Sequence, residues 1–353
     1  MRVHELLKDN EELWDIFTRK EEYTSVQVDK HGRYTFAYSS QESITEPKVS
    51  RFLKGNVSKP EYPEGRKFAI CLTHDVDDIY PPLMHVLASV YHCAKYRDFG
   101  KLPNQFMWRL RGKSSSPYRN FSEIMELEDK YNAKSSFYFM ATKKDLRRLR
   151  YDIEELQNEL RFIDGSGWDI GLHIGYYSFD DLAEIVNEKE RIEEVLGKPI
   201  IGSRNHYLRF KVPDTWELLA NAGFKYDTTL GYTDMIGFRN GMCHPFRPFN
   251  LNSGKELNIL EIPLNIMDGT LFQYMHMNMD EAWEITQALI DTVEAVGGVL
   301  TVLWHNDIFG WPYRKKWAEF YEWLLKYASE KGAWLTSADE IYRWSMFDCD
   351  SSE

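Results

Sequence analysis

The chain has 353 residues, 43% of them hydrophobic and 15% aromatic, with a formal net charge of −12. That is enough apolar material for one large core, or for a large domain with an appendage. No Lys/Arg run offers a surface for a phosphate backbone, so nucleic acid is not an expected partner. No uninterrupted apolar run approaches the roughly 18–20 residues of a membrane span.

The N-terminus, MRVHELLKDNEELWDIF, is charged every few residues and has no apolar h-region, so it does not read as a secretory signal. The cysteines Cys71, Cys93, Cys243 and Cys349 are scattered without a CxxC pair and read as reduced thiols. The expectation is a cytoplasmic protein. HELLKDNEELWDIF predicts a helix and GRYTFAYSS alternates like a strand. SKPEYPEGRK then reads as a connection. Residues 1–65 are taken as an N-terminal extension.

From Phe68 the pattern becomes repetitive. The apolar runs FAICLT, SSFYFMA, WDIGLHI, KPIIGSRN, LNILEIPL, VLTVLWH and AWLTS alternate with helix-like stretches. One of these, DDLAEIVNEKERIEEVLG, ends at Gly197, a plausible C-cap. Such alternation predicts an α/β chain, a mostly parallel sheet covered by helices, open or closed into a barrel.

Polar residues gather at the ends of the apolar runs. His74 and Asp75 follow AICLT, His173 lies in IGLHI, Arg204 follows IIGS, and His305 follows LTVLW. In a parallel barrel the strand C-termini open on one face, where chemistry collects. The carboxylates of THDVDD repel one another unless a cation sits among them. A calcium loop starting at Asp75 would need Gly and Glu where Tyr80 and Val86 stand, so that reading fails. Asp77 or Asp78 capping the helix after Pro81-Pro82 is the plain structural alternative. A divalent cation shared between an Asp and one or two His is the other. Arg204 offers a planar fork to a carboxylate, and His206 faces the same way if that segment is extended.

These residues carry a resemblance. LTHDVDD, GLHIGYYSF, SRNHYLRF and VLWH, in this order between about residues 66 and 340, resemble motifs of the polysaccharide deacetylase family (NodB homology, carbohydrate esterase family 4). The HDVD spelling, with RNHYLRF and EIPLNIMDGTLF, resembles a divergent bacterial branch of it. The resemblance implies a distorted (β/α)7-type barrel over residues 66–345 and a divalent metal, usually zinc. It implies removal of N- or O-acetyl groups from a carbohydrate or glycan intermediate. By position, Asp75 would be the catalytic base and Asp77 a metal ligand displaced by one through Val76. His173 would be a ligand, Arg204 would orient the base, the Tyr207 N–H would donate to the oxyanion, and His305 would be the general acid.

Two departures stand out. The second metal His should follow His173 by four residues, where Tyr177 stands, and His206 replaces the family's Pro. The third ligand is then His206, or a water beside Asp77 and His173, or His74. Arg239, Asp268, Trp304 and Tyr177 are candidate substrate contacts. An inactive carbohydrate-binding barrel and a metal-dependent amidase acting on a non-sugar C–N bond are the rival readings. The sequence leaves the oligomeric state open.

Overall fold

The computed structural model describes residues 3–55, 61–146 and 150–350, the side chains of 347–350 excepted. The Cys349 side chain and part of the SKPEYPEGRK connection therefore lie outside what is described. Among the described residues there are eleven strands: β1 (Ala69–Val76), β2 (Ser136–Phe139), β3 (Asp169–Ile174), β4 (Gly202–Asn205), β5 (Tyr226–Asp227), β6 (Phe249–Asn250), β7 (Lys255–Glu256), β8 (Leu260–Glu261), β9 (Leu264–Met267), β10 (Val299–Leu303) and β11 (Trp334–Thr336). β6 and β7 form a separate antiparallel hairpin.

The remaining strands make one sheet, in the order β8-β5-β4-β3-β2-β1-β10-β9, with parallel pairing throughout. β11 pairs with the first residues of β1, and β2 with its last. The two ends of this path, β8 and β9, are successive pieces of one segment, parted by Ile262 and Pro263. The first piece hydrogen-bonds to β5 and the second to β10, so the sheet curls round to close. Proline cannot continue a ladder, and the break lets one segment serve both neighbours. Asn265 Oδ1 accepts the Thr301 N–H at 2.8 Å, next to the place where the β9–β10 register slips.

The strands are buried on both faces, as parallel strands under helices must be, and so they read as apolar runs in the sequence. The helix Leu182–Leu196 packs Ile185, Ile192 and Val195 inward and stops at Gly197, whose φ of 85° only glycine adopts cheaply.

The N-terminal segment joins the same core, since Leu7, Phe17, Val49 and Leu53 pack into the main apolar cluster. Its predicted helix is two, Val3–Leu7 and Glu11–Thr18, broken at Asn10, whose side chain caps the second. GRYTFAYSS is not a strand. It holds a 3-10 turn, Phe36–Tyr38, because the Phe36 and Ala37 N–H groups donate to the Asp234 carboxylate at 2.9 and 3.1 Å instead of to a ladder.

Candidate active site

Because the barrel strands run parallel, their C-terminal ends share one face, and five of them carry the polar residues there. β1 carries Asp75 one residue before its end at Val76, with Asp77 just beyond. β3 carries His173 opposite Arg204 of β4, and His206 lies just past β4. Asp268 and His305 follow β9 and β10.

Strand alternation decides which side chains enter the barrel. Thr73 and Asp75 both face inward, and Arg204 reaches across to them, with Nη1 2.8 Å from Thr73 Oγ1 and 3.3 Å from Asp75 Oδ1. Its Nε donates to Thr228, and the guanidinium lies over the Tyr138 ring. A planar cation so fixed aims the neighbouring carboxylate. His74 points the other way. Its ring bonds to the Trp304 carbonyl at 2.7 Å and to Glu128 at 2.9 Å, in a fully buried network, so it is not placed to be a ligand.

Asp77, His173 and His206 come together. His173 Nε2 lies 3.3 Å from Asp77 Oδ1, and His206 Nε2 lies 3.4 Å from Asp77 Oδ2. One ligand atom from each of the three fits within 4.8 Å of the others. Asp77 Oδ1 and both Nε2 atoms are buried with no hydrogen-bond partner among the described residues. Buried polar atoms are seldom left so. Donors bound at about 2.0–2.2 Å around a tetrahedral ion stand about 3.3–3.6 Å apart, which is the spacing of the two Asp77–His contacts. The residues therefore fit a divalent cation. His173 Nδ1 donates to the Arg204 carbonyl at 3.1 Å, which leaves the Nε2 lone pair facing the site. Burial pushes the His206 imidazole towards its neutral form, the form a ligand needs. Burial works against charge on Asp77, but His206 and Arg150 hold its carboxyl well below the usual carboxylate range.

Across the opening, Asp268 grips His305 through the backbone N–H at 2.7 Å and through Nδ1 at 2.9 Å. Burial opposes charge on this imidazole, but Asp268, with Asp77 and Asp75 further off, raises its pKa to about 10. Asp75, Asp77, His173, His206, Tyr207 and His305 all line one cavity of about 200 Å3. Sites that enclose a drug-sized ligand run to roughly 300–1,000 Å3. This one is smaller.

Among solved structures, the chain is similar to a protein of Mycobacterium smegmatis assigned as a polysaccharide deacetylase. The TM-score is 0.53 at 20% identity, covering 81% of this chain and 93% of that one. The fold is that of a polysaccharide deacetylase. The peptidoglycan deacetylase PdaC of Bacillus subtilis matches at TM-score 0.36 and 11% identity, over 81% of this chain and 95% of that one. BA3943 of Bacillus anthracis, described as a CE4 family pseudoenzyme, matches at TM-score 0.40 and 10% identity, over 82% and 70%. No family model and no curated protein matches the sequence.

Within the deacetylase fold, four residues expected at the substrate sit elsewhere or act differently. Trp304 is wholly buried, stacked on Phe320 at 5.6 Å, with its indole N–H on the Trp317 carbonyl. It lies one residue before His305, and alternation turns it into the helical layer. Arg239 is buried against Glu22, the Gly231 carbonyl and the Tyr232 ring, and does not line the cavity. Tyr177 lies outside the cavity, 44% exposed and under Lys144. Asp268 serves His305. Asp78 caps no helix, since the next one begins at Leu83 behind Pro82, and it pairs with Arg150 at 3.3 Å.

Three residues at the site have no mark in the sequence. Arg150 spans Asp77, Asp78 and Asp145, and Asp145 Oδ1 lies 3.6 Å from His206 Nδ1. Arg33, from the N-terminal segment, lines the cavity and donates to the Tyr207 carbonyl at 3.0 Å. Tyr207 and Leu208 have φ of 62° and 52°, the left-handed region.

Proposed function

We propose that the protein is a metal-dependent deacetylase that hydrolyses an N-acetyl group on a carbohydrate or glycan intermediate. The observation that carries this reading is the trio Asp77, His173 and His206, set at ligand spacing between the Asp75–Arg204 pair and the His305–Asp268 pair. Two imidazoles and a carboxylate suit zinc. Bound there, the ion would acidify a water and polarise the acetamide carbonyl.

The chain's own groups do the rest. Asp75, held by Arg204, takes the proton as the water oxygen attacks the acetyl carbon. The N–H of Tyr207, on the turn that lines the cavity, donates to the oxyanion, a contact worth about 3 kcal/mol in comparable sites. His305 keeps its proton through neutral pH and delivers it to the sugar nitrogen as the C–N bond breaks. The products are acetate and a free amine. An amide anion leaves poorly, so the acid is as necessary as the base. The inactive-barrel reading leans on the missing His at Tyr177, and His206 beside Asp77 removes that support.

The test is metal content per chain, with acetate release from a panel of N-acetylated sugars, O-acetylated sugars and non-sugar amides. Stoichiometric zinc uptake with acetate release from an N-acetyl sugar is expected. No metal uptake, or activity confined to non-sugar amides, would overturn the reading.

A further inference from the structure

The segment that leaves the catalytic face after Asp78 carries an unpartnered apolar surface. In the helix Leu83–Tyr96, Val86, Ser89 and Cys93 are buried, while Leu83, Met84, Leu87 and Tyr91 face outward. Leu83 and Met84 are 69% and 71% exposed. The next helix, Asn104–Arg111, exposes Phe106 and, at 82%, Leu110, and Phe99 lies exposed between the two helices. Scattered exposed apolar residues are ordinary, but a run of this kind on consecutive elements marks an interaction site.

Charge says what covers it. Residues 83–113 hold six basic side chains, Lys95, Arg97, Lys101, Arg109, Arg111 and Lys113, against a single acid, Asp98, in a chain whose net charge is −12. All six are exposed. Lys95 lies over the Tyr96 ring at 5.1 Å and Arg109 over the Trp108 ring at 4.4 Å. Outward apolar side chains fringed by Lys and Arg are the pattern of helices that lie in the plane of an anionic bilayer. No helix among the described residues is long and apolar enough to cross one. The surface also sits beside the active site. His85, at the start of the first helix, stacks on Trp311 at 3.7 Å and pairs with Asp307, two residues after His305.

We infer that residues 83–113 seat the protein on an anionic lipid surface with the catalytic opening at the membrane. If the deacetylase reading holds, the substrate class is a glycan carried on a lipid. Its sugar would then be presented at headgroup level.

The test is flotation of the full chain with phosphatidylcholine vesicles with and without phosphatidylglycerol. Partition is expected only with the anionic lipid, falling as salt is raised. Each basic residue near such a surface is worth about fivefold, so Arg109→Gln with Arg111→Gln should weaken partition about 25-fold. Leu83→Asp with Leu87→Asp should abolish it, whereas Phe162→Asp, exposed on a different helix, should leave it unchanged. Melting curves establish that the variants fold. Overturning results are no partition, partition indifferent to these variants or to salt, or patch variants that split a dimer and leave partition unchanged, which would make a second copy the occupant. None of these readouts uses hydrolysis. Acetate release from a soluble N-acetyl sugar by the same variants reports separately on the proposed activity.

Discussion

Asp268 accepts two hydrogen bonds from His305, one from its backbone N–H at 2.7 Å and one from Nδ1 at 2.9 Å, and so leaves Nε2 as the nitrogen to serve the cavity. Burial alone would lower this imidazole's pKa, and Asp268 is the main reason it stands at about 10. A folded-state pKa above the unfolded value means a stabilising proton. That contribution is complete below about 6.5 and is lost as pH rises through about 10. In the proposed reaction the same proton is the one the leaving amine requires. Asp268→Asn keeps the shape and removes the anion. It should move the basic limb of the kcat/KM profile down by about 1–3 pH units. A basic limb that stays in place would separate His305 from the acid role.

His206 supplies the imidazole that the spacing after His173 fails to supply. His206→Ala should therefore cost stoichiometric metal binding, read by elemental analysis after dialysis against zinc. Adding Tyr177→His to that variant recreates the family spacing in sequence. It should not restore binding, because Tyr177 lies on the solvent side of the turn after β3, away from Asp77. Recovery of metal in the double variant would show that the trio is misassigned.

The barrel was legible because parallel strands buried on both faces must be apolar runs, and the residues of the candidate site were legible because they terminate those runs. Asp75, His173, Arg204 and His305 all stand at such ends. Alternation also holds the signal against Trp304, since a side chain next to an inward His305 on extended backbone faces away. Asp145, Arg150 and Arg33 carry no comparable mark. They sit on irregular segments with no period, and only tertiary folding brings them to Asp77 and Tyr207. β5 is two residues long and the broken β8–β9 segment reads as one strand, so closure of the sheet was not visible either.

Glu22 lies between two buried arginines. Its carboxylate meets Arg19 Nε at 2.7 Å and Arg239 Nη2 at 2.5 Å, and all three side chains are almost fully enclosed. Burial opposes its charge, but Arg239 and Arg19 hold its pKa below the ordinary value. The stabilisation is therefore present above about pH 4.5 and is lost as pH falls through the folded pKa. Glu22→Gln leaves the buried Arg239 guanidinium without its carboxylate, while Arg19 keeps Glu21, and should cost about 3–5 kcal/mol, read as a fall in the urea midpoint at neutral pH. Arg239→Gln should likewise lower stability with KM unchanged in whatever protein folds. A raised KM at full stability would return Arg239 to the substrate.

Arg33 ties the N-terminal segment to the chemistry. Its Nε and Nη2 are held by Asp29 Oδ2 at 2.9 and 2.6 Å, which aims Nη1 at the Tyr207 carbonyl. That carbonyl belongs to a turn in which Tyr207 and Leu208 both take left-handed backbone angles, a conformation costing about 1–2 kcal/mol per residue without glycine. Such a turn persists only where its surroundings impose it, and the guanidinium is one of the groups that do so. Arg33→Ala should let it relax and withdraw the Tyr207 N–H from the oxyanion. A hydrogen bond to a charged group is worth about 1.5–3 kcal/mol, so kcat/KM should fall by about 10- to 100-fold. Zinc stoichiometry should fall far less than kcat/KM, because His173 is held in β3, Asp77 directly follows β1, and His206, though it opens this turn, directly follows Asn205 at the end of β4. Arg33→Lys, with one donor group in place of a fork, should recover only part of the loss, and Asp29→Asn should produce a milder version of it. Wild-type kcat/KM in Arg33→Ala would show that the turn stands without the N-terminal segment.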